Sequence, residues 1–271
     1  MHDFVWAIPS SNMRPARFHN CASVLVLSFM KETAHVIMRT MASKSSPTPL
    51  PRAVLWDMDG TIIDSEEFHW ISWRETMAKE GITITREDFL ASFGQRNDSI
   101  LSRWLGDAAT AERMTRVADA KEELYRHLIR SNGIQALPGV VKWLDRLNRE
   151  GWLQAIASSA PRPNLDVVLE VLGIAHCFQG VVSAEEVHKG KPDPEVYLTA
   201  AWHLGVSPDQ CIVVEDALAG VEGANNAGMR SIGVSRDGKY LPADIVVQSL
   251  ELLDADTFER LLRNPKQVSV S

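Results

Sequence analysis

From Ala53 onward, short apolar runs alternate along the chain with longer segments of helical periodicity. The apolar runs read AVLW, LQAIAS, VVS, CIVVE and SIGV. Runs of this length that alternate with amphipathic helices are typical of βαβ units, in which helices cover a buried parallel sheet. The pattern therefore predicts an α/β fold built on a parallel sheet.

The gap after the first apolar run is too long for a single crossover. Between Asp64 and Leu137 the sequence shows only helical patterns, whereas a crossover between parallel strands needs only about a dozen residues. We interpret this gap as an inserted helical bundle that covers a site. Asp64 followed by Glu67 also predicts a capping box at the start of its first helix. The predicted helices are Glu66–Glu80, Arg86–Phe93, Asn97–Leu105 and Ala108–Arg130.

Residues 1–52 differ from the rest of the chain in charge. They hold six Lys and Arg against two acidic residues, while the remainder holds 22 basic against 33 acidic side chains. The segment ends in SKSSPTPLP, a composition typical of a linker. We expect a poorly ordered extension, with a natural translation start at Met38 or Met41 as one origin. A cleaved targeting peptide is the alternative, because Arg14 and Arg17 precede a short apolar run.

Composition limits the classes of partner. The whole chain has 28 Lys and Arg against 35 Asp and Glu, without a basic run interleaved with aromatics, so nucleic acid is not an expected partner. Three scattered cysteines without a CxxC pair indicate neither a disulfide framework nor a zinc site, and they fit a reducing cytoplasm. The apolar stretch Ala22–Met30 is far shorter than the about 20 residues that cross a bilayer. We therefore expect a cytoplasmic protein without a membrane partner.

Two acidic pairs follow predicted strands. Asp57 ends AVLW with Asp59 two positions later, and Glu215 and Asp216 end CIVVE. Ligands of open parallel sheets bind beyond the carboxyl ends of the strands, so central placement of both strands would bring Asp57 and Asp216 together. Oxygen ligands in that arrangement suit Mg2+. The alternative is structural, with Asp59 as a turn residue and the second pair complementing a helix dipole.

A serine and a lysine lie between these acidic pairs in the sequence. Ser158 ends LQAIAS, and Lys191 stands in HKGKPDP. A hydroxyl with nearby backbone N–H groups can hold phosphate oxygens, and a lysine ammonium acts on phosphate as a point charge. Taken singly, each residue is typical of a solvated loop. Pro192 and Pro194 fix the chain directly after Lys191, which favours an aimed ammonium.

The segments DMDGTIID, IASS, KGKPDP and VVEDALAG, in this order at predicted strand ends, resemble the motifs of the haloacid dehalogenase superfamily. The resemblance runs from residue 53 to about residue 247. It implies a Rossmann-like, doubly wound parallel sheet core, formed by residues 53–64 and 138–271. It also implies an inserted all-helical cap domain, residues 65–137.

The resemblance also implies site residues. Asp57 would be the nucleophile that forms an aspartyl phosphate, Asp59 the general acid/base, and Lys191 the group that neutralises charge. Phosphate would be held by the backbone N–H of Met58 and by Ser158 and Ser159. The implied Mg2+ ligands are Asp57, Asp59, Glu215 and Asp216.

The DGTIIDSEEFH entry into the helical insertion resembles the subgroup that contains β-phosphoglucomutase and many sugar-phosphate phosphatases. His69, Arg96 and Lys121 match cap positions of the mutase. Arg96 would pair with a distal phosphate, and Lys121 would contact sugar or phosphate. The alternative for all three is an ordinary solvated surface position.

One departure from the mutase pattern bears on the reaction. Where the mutase continues its second motif with serine, lysine and asparagine, this chain has Ala160, Pro161 and Arg162, of which only Arg162 can bind a second phosphate. A mutase holds a bisphosphate in two orientations, whereas a phosphatase needs one phosphate held and water admitted. We therefore expect a Mg2+-dependent phosphatase acting on a small phosphorylated metabolite such as a sugar phosphate.

Two other functions stay open. The first is a β-phosphoglucomutase-type mutase, and the second is a noncatalytic relative that binds phosphate or serves regulation. The second is disfavoured because all five motif positions are present: Asp57, Asp59, Ser158, Lys191 and Asp216. For the assembly we expect a monomer or a weak homo-oligomer.

Overall fold

The structure is a computed structural model that describes residues 50–92 and 94–263. The expectation of a poorly ordered extension at residues 1–52 lies outside the described residues, apart from its last three positions. These described residues form one compact unit.

A single parallel sheet organises the described residues. Its strands lie in the order β3-β2-β1-β4-β5-β6, and every neighbouring pair is parallel. The sequence patterns predicted all but β6, a short and partly exposed strand at one edge. The strands are β1 Ala53–Trp56, β2 Leu153–Ala157, β3 Gly180–Val182, β4 Cys211–Glu215, β5 Arg230–Val234 and β6 Ile245–Val247.

The strand order reverses at β1. From β1 the chain proceeds outward through β2 to β3, then crosses back to β4 on the other side of β1 and continues to β6. In register, Trp56 at the end of β1 lies between Ile156 and Val214. Such a reversal opens a crevice at the carboxyl edge of the sheet. The prediction of a Rossmann-like, doubly wound sheet is confirmed.

Helices account for the connections between strands. Residues between β1 and β2 form α1 to α4 before α5 leads into β2, so the predicted helical insertion is confirmed. No helix in residues 50–92 and 94–263 combines the length and apolar character needed to cross a bilayer. The helices are α1 Glu66–Lys79, α2 Arg86–Leu90, α3 Asn97–Leu105, α4 Ala111–Asn132, α5 Val140–Arg149, α6 Arg162–Leu172, α7 Glu195–Leu204, α8 Leu218–Asn226 and α9 Thr257–Arg263.

The insertion leaves and re-enters the sheet at one place. Ile63 and Ala136 form an antiparallel bridge, and Leu137 N–H donates to Ile62 C=O at 2.8 Å. Inside the insertion, apolar side chains of several helices form a separate core that includes Trp73, Met77, Phe89, Leu101 and Val117. The exact domain boundaries at residues 65 and 137 stay a prediction.

The capping box predicted from Asp64 and Glu67 is wrong. Ser65 holds the N-cap position of α1, without a side-chain cap bond. Asp64 pairs instead with Arg236, and Glu67 pairs with Arg86. A guanidinium offers each carboxylate a charged partner, which forms a stronger hydrogen bond than a backbone N–H.

Side chains of the central strands alternate between two cores. Val54 and Trp56 of β1 belong to the core on one face of the sheet, and Ala53 and Leu55 belong to the core on the other. Because successive strand residues point to opposite faces, an apolar run without polar interruption requires cover on both faces. The flanking helices supply that cover.

One buried polar side chain ties this core together. Gln154 on β2 is fully buried. Its Oε1 accepts from Trp56 Nε1 at 3.0 Å, and its Nε2 donates to Leu144 C=O at 3.0 Å and to Asn148 Oδ1 at 2.9 Å. These bonds join β2 to β1 and α5.

We predict that Gln154→Leu lowers the free energy of unfolding by about 2–4 kcal/mol, because the buried Trp56 N–H loses its acceptor. Urea denaturation followed by tryptophan fluorescence measures the change. Gln95→Leu is the matched control, since Gln95 is exposed and should change stability by less than about 0.5 kcal/mol. Equal effects of the two substitutions would contradict the role given to Gln154.

Candidate active site

A tight turn directly after β1 builds the floor of the site. Gly60 has φ of 90°, which glycine adopts without strain. A Cβ at this position would lie 2.0 Å from Asp216 Oδ2. Thr61 Oγ1 donates to Asp216 Oδ1 at 3.2 Å. The turn after β1 is therefore seated against the acidic pair that follows β4.

The predicted convergence of the two acidic pairs is observed. Asp57, Glu215 and Asp216 each offer a carboxylate oxygen within 4.8 Å of the others. Asp57 and Glu215 are buried, and Asp216 is partly buried. Adjacent parallel strands that end at the same edge bring these residues together.

Lys191 joins two members of this cluster. Its Nζ donates to Asp57 Oδ1 at 2.5 Å and also to Glu215 Oε1. Glu215 is held by two further donors: Tyr197 O–H reaches Oε1 at 3.0 Å, and Ala217 N–H reaches Oε2 at 2.8 Å. Glu215 thus fixes the lysine ammonium beside Asp57.

The acidic cluster carries more negative charge than Lys191 can balance. Burial raises the pKa of Asp57 well above its usual range, and Glu215 and Asp216 raise it further, against the opposing effect of Lys191. Burial and Glu215 likewise raise the pKa of Asp216 to about 7. Burial lowers the pKa of Lys191, but Asp57 and Glu215 outweigh it and raise that pKa well above normal. Carboxylate oxygens whose negative charge is only partly balanced fit a divalent cation such as Mg2+.

Asp59 lies among different partners. Ser65 Oγ donates to Asp59 Oδ1 at 2.5 Å, and His69 Nε2 lies 3.3 Å from the same oxygen. Burial acts to raise the pKa of Asp59, but the bonds from His69 and Ser65 and the charge of Lys121 outweigh it and lower the pKa. In this arrangement Asp59 is therefore ionised at neutral pH.

Lys121 lies in the interior of the site and not on a solvated helix face. Only 2% of its side-chain surface is exposed. Its Nζ lies 2.9 Å from His69 Nδ1 and donates to Glu122 Oε1 at 2.8 Å. His69 in turn stacks on Tyr125 with ring centroids 4.2 Å apart. The structure thus brings His69 and Lys121 together above Asp59.

Glu122 connects Lys121 to residues of two other helices, α3 and α6. Asn164 on α6 donates to Glu122 Oε2 at 2.6 Å, and Asn97 on α3 donates to Oε1 at 2.7 Å. Burial acts to raise the pKa of Glu122, but Lys121, His69 and Asn97 outweigh it and lower the pKa to about 2. A buried, charged hydrogen-bond network therefore joins α4 to α6.

A cleft of about 650 Å3 lies between the helical insertion and the carboxyl edge of the sheet. Most of the predicted site residues line it. Arg96 bridges the cleft at one end, where Nη1 donates to Ala184 C=O at 3.3 Å. The predicted residues at the cleft wall are Asp57, Asp59, His69, Arg96, Lys121, Ser158, Ser159, Lys191, Glu215 and Asp216.

Two predicted site residues do not present their side chains to the cleft. Arg162 is not part of the cleft wall: its guanidinium donates to Asp166 at 2.8 Å, with 51% of the side chain exposed. The helical i,i+4 spacing of the two residues gives Arg162 this nearer partner. Met58 packs its side chain into the core, and only its backbone can face the site.

Several residues that shape the site give no recognisable signal in the sequence. Thr61, Ser65 and Tyr197 donate to Asp216, Asp59 and Glu215 respectively. Serine, threonine and tyrosine occur in every environment, and nothing in their spacing indicates which carboxylate they reach. Glu122 and Asn164 are 42 positions apart in sequence, so only the packing of α4 on α6 reveals their bond.

Comparison with known proteins identifies the family. A sequence model of the haloacid dehalogenase-like hydrolases matches residues 54–234. The chain belongs to this family, as the four motifs predicted.

The relatives include both mutases and phosphatases. β-Phosphoglucomutase of Bacillus subtilis strain 168 is 35% identical over 214 residues, which span 74% of this chain and 93% of that protein. Hexitol phosphatase B of Escherichia coli K12 is 31% identical over 214 residues, which span 75% and 94%. A crystal structure of β-phosphoglucomutase from Clostridium difficile superposes with a TM-score of 0.71 at 30% identity, covering 79% of this chain and 98% of the other.

We predict that Gly60→Ala disrupts the turn against Asp216. The added Cβ would overlap the Asp216 carboxylate. The cost of this overlap adds to the about 1–2 kcal/mol that a positive φ costs an L-residue. Gly81→Ala is the control, because Gly81 has φ of 75° with open space around it. Thermal unfolding should show a larger drop in Tm for Gly60→Ala, and equal drops would contradict the close approach.

We predict that Glu122 stabilises the fold in a pH-dependent way. Because its pKa in the fold is about 2 and about 4.3 when unfolded, its contribution is complete above about pH 5 and disappears as the pH falls towards 2. Glu122→Gln should lower the free energy of unfolding at pH 7 by up to about 3 kcal/mol. Urea titrations between pH 7 and 3 should show this gap shrinking. The exposed neighbour Glu123 provides the control, and Glu123→Gln should leave stability almost unchanged at every pH.

Proposed function

We propose that the protein is a Mg2+-dependent phosphatase that hydrolyses a small phosphate ester, a sugar or sugar-alcohol phosphate, through an aspartyl phosphate on Asp57. The observation that carries the proposal is the cluster of Asp57, Glu215 and Asp216 around Lys191 at the strand-order reversal. The cleft beside it is large enough for a sugar phosphate.

The residues present fit a magnesium ion. Asp57 and Asp216 would hold it, with Asp59 and Glu215 as the further predicted ligands. Both oxygens of Glu215 already accept hydrogen bonds, which favours an orienting role for this residue. A bound Mg2+ would supply the positive charge that shields an anionic phosphate from an anionic nucleophile.

Asp57 is proposed to attack phosphorus. A new bond forms between its carboxylate oxygen and phosphorus while the ester P–O bond breaks, and Lys191, 2.5 Å from Oδ1, balances charge on the transferring group. Ser158, Ser159 and the backbone N–H of Met58 would hold the other phosphate oxygens.

Asp59 is proposed to move the proton. His69 Nδ1 faces the Lys121 ammonium, which can only donate, so His69 Nε2 carries hydrogen and points it at Asp59. This contact keeps Asp59 ionised and suited to take a proton from the water that attacks phosphorus in the second step. In that step the bond between Asp57 and phosphorus breaks and inorganic phosphate leaves. For the first step an anionic phosphate nearby raises the pKa of Asp59 by like charge, so that the protonated carboxyl can donate to the leaving alkoxide.

The surroundings of Arg162 support hydrolysis over phosphate transfer back to a sugar. Arg162 is bound to Asp166, and Ala160 and Pro161 offer no polar side chain for a second phosphate. The mutase is the second candidate because two of the three similar proteins reported above are β-phosphoglucomutases.

We predict that Asp57→Asn lowers kcat at least about a thousandfold while substrate binding persists, because the amide cannot act as the nucleophile. Phosphate release and equilibrium binding measure the two effects. Asp107→Asn, at an exposed position, should behave as the unsubstituted protein. Undiminished turnover of Asp57→Asn would remove Asp57 from the nucleophile role.

We predict phosphate release from at least one member of a sugar and sugar-alcohol phosphate panel with Mg2+, and loss of that release with a chelator. A parallel assay with β-glucose 1-phosphate and a bisphosphate activator measures isomerisation. Rapid isomerisation without phosphate release would identify a mutase. Inactivity in both assays would favour the noncatalytic, phosphate-binding alternative.

We propose a cytoplasmic location and a monomer or weak homo-oligomer, with the phosphate ester as partner and neither nucleic acid nor membrane. The acidic balance of the chain supports the exclusion of nucleic acid. Cell fractionation tests the location, and light scattering after size-exclusion chromatography tests the assembly.

A further inference from the structure

A second group of metal-ligating side chains lies away from the cleft. Asp145 belongs to α5, and His176 and Cys177 belong to the 3₁₀ turn Ala175–Cys177 that leads into β3. One ligand atom of each lies within 4.8 Å of the others. This turn precedes β3, whereas Asp57 follows β1. The group therefore lies at the amino ends of the strands, and the proposed catalytic centre lies at their carboxyl ends.

The orientation of His176 leaves one ring nitrogen available to a metal. Its Nδ1 lies 3.0 Å from Gly173 C=O. A carbonyl only accepts hydrogen bonds, so Nδ1 carries a hydrogen. In the neutral ring Nε2 then carries the lone pair, which faces Cys177 Sγ. Histidines that bind metals are oriented in this way, with the other ring N–H donated to a carbonyl or carboxylate.

The spacing of the nitrogen and sulfur atoms matches a tetrahedral zinc site. His176 Nε2 and Cys177 Sγ are 3.6 Å apart. Zinc lies about 2.3 Å from sulfur and about 2.0–2.1 Å from nitrogen, and a tetrahedral angle between these bonds puts the two ligand atoms about 3.6 Å apart. The separation that these two atoms have as hydrogen-bond partners therefore already fits both bonds to zinc.

Asp145 supplies the third ligand and a negative charge. Within residues 50–92 and 94–263 no basic side chain forms an ion pair with its carboxylate. The backbone of the turn is fixed, because Cys177 N–H donates to Ile174 C=O at 2.9 Å.

We propose that Asp145, His176 and Cys177 form a Zn2+ site whose fourth position is open to water. On binding, the Cys177 thiol releases its proton to solvent, and thiolate plus carboxylate balance the two charges of the ion. The ion links α5 to the turn before β3 and stabilises the fold by mass action. The cysteine spacing predicted no zinc site, because only the fold brings Asp145 beside the adjacent His176 and Cys177.

Cobalt substitution tests the site in the full-length chain. A thiolate bound to Co2+ gives a sulfur-to-metal charge-transfer absorption, which the carboxylates of the catalytic cluster cannot give. All variants carry Cys21→Ser, because Cys21 lies outside the described residues. We expect one equivalent of Co2+ to produce the band and Zn2+ to abolish it by displacement.

Substitutions identify the ligands. The band should persist with Cys211→Ser, whose sulfur is buried elsewhere against Ser207, and disappear with Cys177→Ser. Asp145→Asn and His176→Gln should weaken Co2+ binding at least about tenfold. These two positions are exposed, so the variants should fold even if Cys177→Ser does not. Asp166→Asn and His127→Gln are their exposed controls.

Two results would overturn the proposal. One is the absence of a charge-transfer band at saturating Co2+ in the Cys21→Ser protein. The other is unchanged Co2+ affinity in both Asp145→Asn and His176→Gln. Neither outcome depends on phosphatase activity, so the zinc site and the proposed function can fail separately.

Discussion

The bond between Lys191 and the carboxylates of Asp57 and Glu215 is the constraint on which the site depends. It crosses from the segment before α7 to the ends of both β1 and β4, and it is buried, so each charge must be balanced where it lies. Tyr197 and the Ala217 N–H complete the surroundings of Glu215. Lys191 does not balance all the negative charge on Asp57 and Asp216. This remaining negative charge makes the carboxyl ends of the strands suited to a cation and a phosphate.

A second buried network determines how the helical insertion meets the sheet. It runs from Asp59 through His69 and Lys121 to Glu122, and then to Asn164 on α6. In every link a carboxylate faces a hydrogen-bond donor, or an ammonium faces an acceptor. A buried polar network is stable only when its groups are paired in this way. The insertion therefore covers the cleft and also contributes to the site. Its Lys121 contacts the His69 ring, which contacts the proposed acid/base Asp59.

The fold was largely predictable because its signals are local. Strand β1 and helix α3 could be placed from apolar runs and helical periodicity, whereas the partly exposed edge strand β6 was missed. The capping box at Asp64 failed for a different reason: Arg236, 172 positions away, takes the carboxylate. Competition from a distant partner cannot be read from neighbouring residues.

By itself the sequence determined which side chains stand at the ends of strands, because strand length and the turn residues that follow are local properties. Asp57, Ser158 and Asp216 belong to that group, and Lys191 follows β3 in the segment before α7. Tertiary structure alone decided which of them carry unbalanced charge and which residues reach them. It buried Lys121 beside His69 and brought Asp145 to Cys177. Both contacts depend on the packing of separate elements against one another, where the contacting residues lie far apart in the chain.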